Sequence, residues 1–270
     1  MANNYGFNDL VKKYPILFEN SEISELWQSL LASVLNNKIE SLENIVSHLR
    51  EEPGKWVPSS EKIWTFTKFC CPRCVKVIIV GQDPTFDASG LAFSSRETIY
   101  DSTRNVLDEL TSDIGIDNLR PFPKDCGNLE YWARQGVLLL NSALTKSING
   151  DSHLYIGWQD ITGELIKQLQ VINEKLVFMF WGLYARRLNV NVKQLFANNS
   201  CNILSAGHPS CRNEKNDFFG CQHFSQANKW LKEHNIDTID WCPIPSFLNQ
   251  CVHLECDFGF DQYFFLIDNF

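Results

Sequence analysis

The sequence predicts an α/β fold, a three-layer sandwich with a central, mostly parallel four-stranded sheet flanked by helices. Three observations carry that expectation. Four short apolar runs have strand length and are too short for helices. Stretches with helical apolar spacing separate them, the rhythm of βαβ units. Polar or turn-forming residues follow each run, as expected where the strands of an open parallel sheet end on one edge.

Residues 1–55 read as a helical N-terminal part. Leu26, Leu30, Leu31, Val34 and Leu35 recur at helical spacing between Ser24 and Leu35, and a second helix spans about Leu42–Leu49. Pro53-Gly54 and Pro58 break the pattern. The β-branched run Val75–Val80 is the first buried strand, Val137–Leu140 the second and Leu176–Phe180 the third. Cys201–Leu204 is a weaker fourth. Helices are expected over Ser102–Asp113, Trp158–Val171, part of Leu183–Phe196, and Cys221–Glu233.

The chain of 270 residues is long enough to bury a large core, and one domain is the default. Residues 1–242 are expected to form it. No apolar run reaches the ~18 residues of a membrane span, and the start lacks the pattern of a secretion signal. The expectation is an intracellular protein of nucleus or cytoplasm, not secreted and without a membrane partner. The net charge of −8 argues at first against a nucleic-acid binder. Its distribution changes that reading. The last 38 residues hold seven of the 32 acids and none of the 24 basic residues, so the body is nearly neutral.

The ten cysteines are not spaced as a disulfide framework, and reduced thiols are expected. Cys71-Pro-Arg-Cys74 has no second CxxC to complete a four-ligand site, so no metal and no cofactor are expected.

The strand ends carry the chemistry. Gln82 and Asp83 follow the first strand, Asn141-Ser142 the second, Trp181-Gly182 the third, and Gly207-His208-Pro209-Ser210 the fourth. Gln82, Asp83, Asn141 and His208 should therefore converge, although 125 residues separate Asp83 from His208. Taken singly, each also fits a turn or a helix cap. Together they suit hydrolysis at a sugar or polar heterocycle. A carboxylate can orient water or stabilise a cationic sugar, an imidazole can stabilise a developing oxyanion, and an amide can read an amide-like edge. A GxxxxGK[ST] loop and a nucleophile elbow are both missing, so nucleotide hydrolysis and acyl transfer lack their parts.

These stretches resemble the family 1 uracil-DNA glycosylases. The resemblance runs from about Trp56 to Trp241. It rests on Val77-Ile-Ile-Val-Gly-Gln-Asp-Pro84, Gly90-Leu-Ala-Phe-Ser94, Trp132–Thr145, Ser152-His153 with Gly157-Trp158, Phe180-Trp-Gly182, His208-Pro-Ser210 and Phe218–Phe224. It implies base-excision repair of single- or double-stranded uracil-containing DNA by base flipping, without a cofactor. Asp83 would orient the attacking water, and a neutral His208 would support the departing uracil anion. Asn141 would read the base edge, Phe93 would stack on it, and Gln82 would line the pocket. Ser102, Gly182, Ser210 and Arg212 would contact the DNA backbone or stack.

The sequence departs from the family pattern at four places. Thr85 and Phe86 stand where the family has Tyr and His, so the wall that excludes thymine is altered, and Phe86 either rebuilds it or packs in the core. The segment Arg96–Ser102 lacks the family's prolines. Arg212 replaces the wedging Leu, as in poxvirus relatives, which points to a divergent viral enzyme. An aromatic and acidic extension, 243–270, is expected to be ordered, packed on the body or serving a protein partner or self-association. Two other functions compete: a catalytically weakened DNA-binding or replication-accessory module, and a glycosylase of altered base specificity.

Overall fold

A computed structural model of the chain describes residues 5–95, 98–193, 201–210 and 217–246. Its centre is a sheet of four strands: β1 Val77–Gly81, β2 Val137–Asn141, β3 Val177–Trp181 and β4 Asn202–Ala206. The spatial order is β2-β1-β3-β4, and all three pairings are parallel. β1 and β3 are central and buried along their whole length. Strands covered on both faces read as continuous apolar runs, which is why they stand out in the sequence. β4 is an edge strand with Ser205 exposed, which accounts for its weaker signal.

The connections sort the helices into two layers. Trp158–Ile172 and Leu183–Lys193 pack on each other, and Glu25–Asn37 and Ile39–Glu51 pack against the first of them. Asp101–Ile114 and His223–Glu233 pack together. The β1-to-β2 crossover runs in the opposite direction along the sheet from the β2-to-β3 and β3-to-β4 crossovers. Right-handed connection therefore puts the two groups on opposite faces.

The buried side chains form one cluster from Leu10 to Trp241. Indole hydrogen bonds tie it together. Trp27 donates to the Cys70 carbonyl (2.7 Å), Trp64 to Leu17 (2.8 Å) and Trp132 to Trp241 (2.9 Å). Each supplies the partner that a buried N–H needs. The start of the expected extension is clamped by Arg120, which bonds Asp240 and the Ile244 carbonyl, both at 2.6 Å. The rest of the extension, from residue 247, and Arg212 lie outside the described residues.

One expectation is corrected. Cys71 and Cys74 are paired rather than free, because the turn Pro72–Cys74 brings their Cα atoms to 5.2 Å, inside disulfide range. Cys70 beside them stays a thiol, its pKa pushed up to about 12 by burial.

His223 is 4% exposed, and its Nδ1 accepts the Trp181 indole N–H at 2.9 Å. Burial pulls its pKa down from 6.5 to about 4. Above pH 6.5 the ring is neutral in both folded and unfolded chains. As pH falls from 6.5 towards 4 only the unfolded chain takes the proton, so stability is lost across that window, on the order of 3 kcal/mol. His223→Gln should flatten that loss. Urea melts at pH 7 and pH 4.5 measure it, and an unchanged difference between the two would remove His223 from the account.

Candidate active site

The register of the sheet decides what meets at its edge. Gly81 is level with Asn141, Val80 with Phe180, and Trp181 with Ala206. The residues just beyond those positions, Gln82-Asp83, Ser142, Gly182 and Gly207-His208, therefore leave the sheet at about one height. The first two turns are locked together. Ser142 donates its N–H (3.0 Å) and hydroxyl (2.9 Å) to the Gly81 carbonyl, and the Ala143 N–H donates to Gln82 (2.9 Å).

Asp83 is held from two sides. Gln82 Nε2 donates to its Oδ2 (3.2 Å), and Lys146 Nζ stands 3.4 Å from Oδ1. The Asp83 side chain is only 10% exposed. Lys146, in the short strand Lys146–Ser147 that follows β2, escaped the sequence reading. Nothing in its local context marks it, and only the fold brings it to the carboxylate.

His208 lies against Gly182, whose absent side chain makes the approach possible. A Cβ there would stand 3.0 Å from the His208 Cβ and 3.1 Å from its ring, and Gly182 also sits at φ +98°. The Ser210 backbone N–H donates to His208 Nδ1 (3.0 Å). That bond needs a lone pair on Nδ1, so the neutral ring carries its proton on Nε2. Burial holds the His208 pKa below its ordinary value, and the charge of Asp83 acts in the opposite sense. The site therefore presents a neutral imidazole with an N–H donor.

Phe93 forms the floor between these groups. Its ring centroid lies 6.0 Å from His208 and 5.3 Å from Trp181. The residue adopts φ +63°, a costly conformation for a side chain of this size. Thr103 Oγ1 donates to its carbonyl (2.7 Å) and helps hold it. Asn141 and Phe93 both lie close to Gly81. A side chain at Gly81 would collide with the Asn141 amide and stand 3.3 Å from the Phe93 ring, so glycine is required there.

The helix Asp101–Ile114 joins the two halves of the site. Its first turn carries Ser102 and Thr103, and Asn105 Nδ2 donates to the Pro209 carbonyl (2.6 Å). Ser102 and Ser210 are both half-buried near this junction. The buried Glu109 on the same helix accepts the Gly220 (2.6 Å) and Gln222 (3.0 Å) N–H groups, fixing the far end of the segment that follows His208.

Phe86 differs from one expectation. It does not pack in the core but stands 57% exposed, with Lys146 Nζ 6.0 Å from its ring. Thr85 hydrogen-bonds Asp87 (3.3 Å). Tyr100, a second residue that sequence reasoning missed, interacts with Asp87 and Thr85, and burial and the Asp87 carboxylate raise its pKa. Two clefts of about 430 and 410 Å³ open elsewhere, beside Tyr5 and Asn36 and beside Lys76 and Asn173. Neither contains a carboxylate with an imidazole. The strand-end residues do not include three side chains able to share a metal. Among the described residues such a set occurs at His48, Glu52 and His153.

A carboxylate, a neutral imidazole donor, an amide and an aromatic ring thus share one edge. They can hydrolyse a bond from a sugar to a flat heterocycle without activating a protein nucleophile. Comparison with known proteins points the same way. The profile of the Uracil DNA glycosylase superfamily matches residues 67–232. A uracil-DNA glycosylase of Acinetobacter baylyi is 36% identical over 82% of this chain and 92% of its own length. Uracil-DNA glycosylase 1 of Bacteroides fragilis is 36% identical over 82% of this chain and all of its own. A crystal structure of mimivirus uracil-DNA glycosylase superimposes with a TM-score of 0.70 at 25% identity, covering 89% of this chain and 96% of that one. The match spans the strands, the turns after them and most of the flanking helices, and on that evidence the chain belongs to the uracil DNA glycosylase superfamily.

Proposed function

We propose that this chain is a DNA-repair enzyme that hydrolyses the N-glycosidic bond of uracil in DNA. The observation that carries the reading is the grouping of Asp83, Asn141, Phe93 and His208 at one sheet edge, with the His208 proton set on Nε2 by the Ser210 N–H. The target bond is inaccessible in a stacked duplex, so the nucleotide is flipped out, most cheaply where uracil is mispaired or single-stranded. Phe93 stacks on the base, and Asn141 reads its polar edge. As the bond from C1′ to N1 breaks, its electron pair moves onto the base, and His208 Nε2–H donates to the oxygen that gains charge. The sugar left behind is cationic, and Asp83 stabilises it and orients the water whose oxygen bonds C1′. The proton that this water gives up passes to the uracil anion, and the products are uracil and an abasic site.

On the DNA side, Ser102 in a helix first turn, Gly182 and Ser210 lie against the backbone phosphates, with the two serine hydroxyls as donors. Arg212, outside the described residues, would offer a planar cation where the family has Leu. Arg212→Ala should weaken duplex binding and lower its salt slope by about one. A slope equal to wild type would make it a solvated residue. The aromatic extension 243–270, most of it outside the described residues, is read from its composition as packing on the body or serving a protein partner or self-association.

A second reading, altered base specificity, is favoured by Thr85 and by the exposure of Phe86. One methyl group in a pocket is worth only ~1–3 kcal/mol. Uracil is nevertheless expected to be preferred, with Phe86 folding over the bound base as the wall. The test is release of uracil and of thymine from matched single-stranded oligonucleotides in EDTA. Uracil should be released many-fold faster, and Phe86→Ala should raise thymine release. Equal rates would promote the second reading, and no release of either base would reject both.

A further inference from the structure

We propose that His48, Glu52 and His153 form a divalent-cation site, suited to Zn²⁺, that ties the N-terminal helical part to the turn flanking the active site. His48 lies near the end of the helix Ile39–Glu51, and Glu52 is its C-cap. Their spacing of four puts both on one helix face. His153 opens the short turn His153–Tyr155. One ligating atom from each of the three residues lies within 4.8 Å of the others. His153 Nε2 and Glu52 Oε2 are 3.6 Å apart, and the two imidazoles stand 5.0 Å apart at 81°. Ligands at ~2.0–2.1 Å around a tetrahedral Zn²⁺ are themselves about 3.4 Å apart. Small side-chain rotations would bring the set to that spacing.

The polar bookkeeping points to an ion. His153 is 2% exposed, yet its Nε2 has no hydrogen-bond partner, and neither does the buried Glu52 Oε2. Buried polar atoms of native proteins are nearly always satisfied, and each exception has a cause. The 3.6 Å between these two is too long for a hydrogen bond. Both atoms are natural metal ligands.

The surroundings already supply an outer shell. His153 Nδ1 lies 2.9 Å from Thr145 Oγ1, which also accepts the Trp158 indole N–H at 2.7 Å. A hydroxyl oxygen has two lone pairs, so it can accept the imidazole N–H as well. That tautomer leaves the Nε2 lone pair facing Glu52, the arrangement in which ligating histidines are usually held. Two imidazoles and one carboxylate suit Zn²⁺ with water as fourth ligand.

The site is structural rather than catalytic. Thr145 and His153 bracket the turn that carries Lys146 to Asp83, and Lys146 is bridged to Ser152 within it. A bound ion would stiffen that turn without touching substrate.

The experiment titrates the chelator-treated full chain with Co²⁺ and then Zn²⁺, following the Co²⁺ visible absorption, metal per chain and melting temperature. One ion per chain, with tetrahedral Co²⁺ bands and a raised melting temperature, is expected. His48→Ala and Glu52→Gln, both at partly exposed positions, should each weaken binding about a hundredfold or more, since even outer-shell losses cost 10–100-fold. Uracil release in EDTA should persist in wild type and both variants. No binding below millimolar metal would overturn the site. So would binding that survives both substitutions, or that is lost instead in Cys71→Ser/Cys74→Ser. Loss of uracil release would bear on the glycosylase reading and leave the metal result to stand by itself.

Discussion

Asp83→Asn is expected to lower the single-turnover rate of uracil release by about 10²–10⁴-fold, with DNA binding much less affected. The substitution keeps the shape and removes the charge. An amide can still bond Gln82, so the loop after β1 should hold. What is lost is the anion beneath a cationic sugar and the acceptor that aims the water. Asp83 is only 10% exposed, and the charge acts there with less screening than at a surface. Removing it also leaves the Lys146 ammonium, 3.4 Å away, next to the developing cation, which adds repulsion to the lost attraction. The measurement is a quenched time course on a single-stranded uracil oligonucleotide. A rate within a few-fold of wild type would remove Asp83 from the chemistry.

His208→Ala should cost a comparable 10²–10⁴-fold, for a different reason. Here a preorganised donor to the leaving group disappears, so the loss belongs to the departure of the base. Substrates with a more acidic leaving base should be less affected. The wild-type rate is expected to be flat around pH 7–8, because burial lowers the His208 pKa and keeps the ring neutral throughout that range. Below the ordinary histidine range, protonation would turn Nδ1 into a donor facing the Ser210 N–H and break that 3.0 Å contact. A His208-linked loss should therefore appear only on the acid side. An Ala variant as fast as wild type on an ordinary uracil substrate would exclude His208 from leaving-group stabilisation.

Much of this was legible in the sequence because burial on both faces writes itself into composition. Ile78, Ile79, Phe178 and Met179 are apolar because nothing polar could sit there. Once the strands are located, parallel register brings Asp83, Asn141 and His208 to one edge. Residues whose role depends on packing between distant segments could not be read this way. Lys146 looks like a surface lysine until the turn after β2 meets the turn after β1. Tyr100 looks like a loop aromatic until it reaches Thr85 and Asp87. His48 and Glu52 resemble the solvated face of a helix, and only the fold sets them beside His153. Of the two readings of Phe86, its 57% exposure removes packing in the core, which an aromatic side chain alone suggests. Cys71 and Cys74 pair because a tight turn fixes their Cα separation, which spacing alone does not give.

The common height at which the four strands end has a consequence in time. Asp83 and His208 come from opposite ends of the 125-residue span that builds the sheet, and β4, which delivers His208, is the last strand made. Synthesis from the N-terminus at about 5–20 residues per second leaves a nascent chain that displays the carboxylate and the aromatic floor for several seconds before the imidazole exists. Beyond it, Trp241 must still emerge to receive the Trp132 indole. The strand-end set is therefore incomplete until the edge strand docks, late in synthesis.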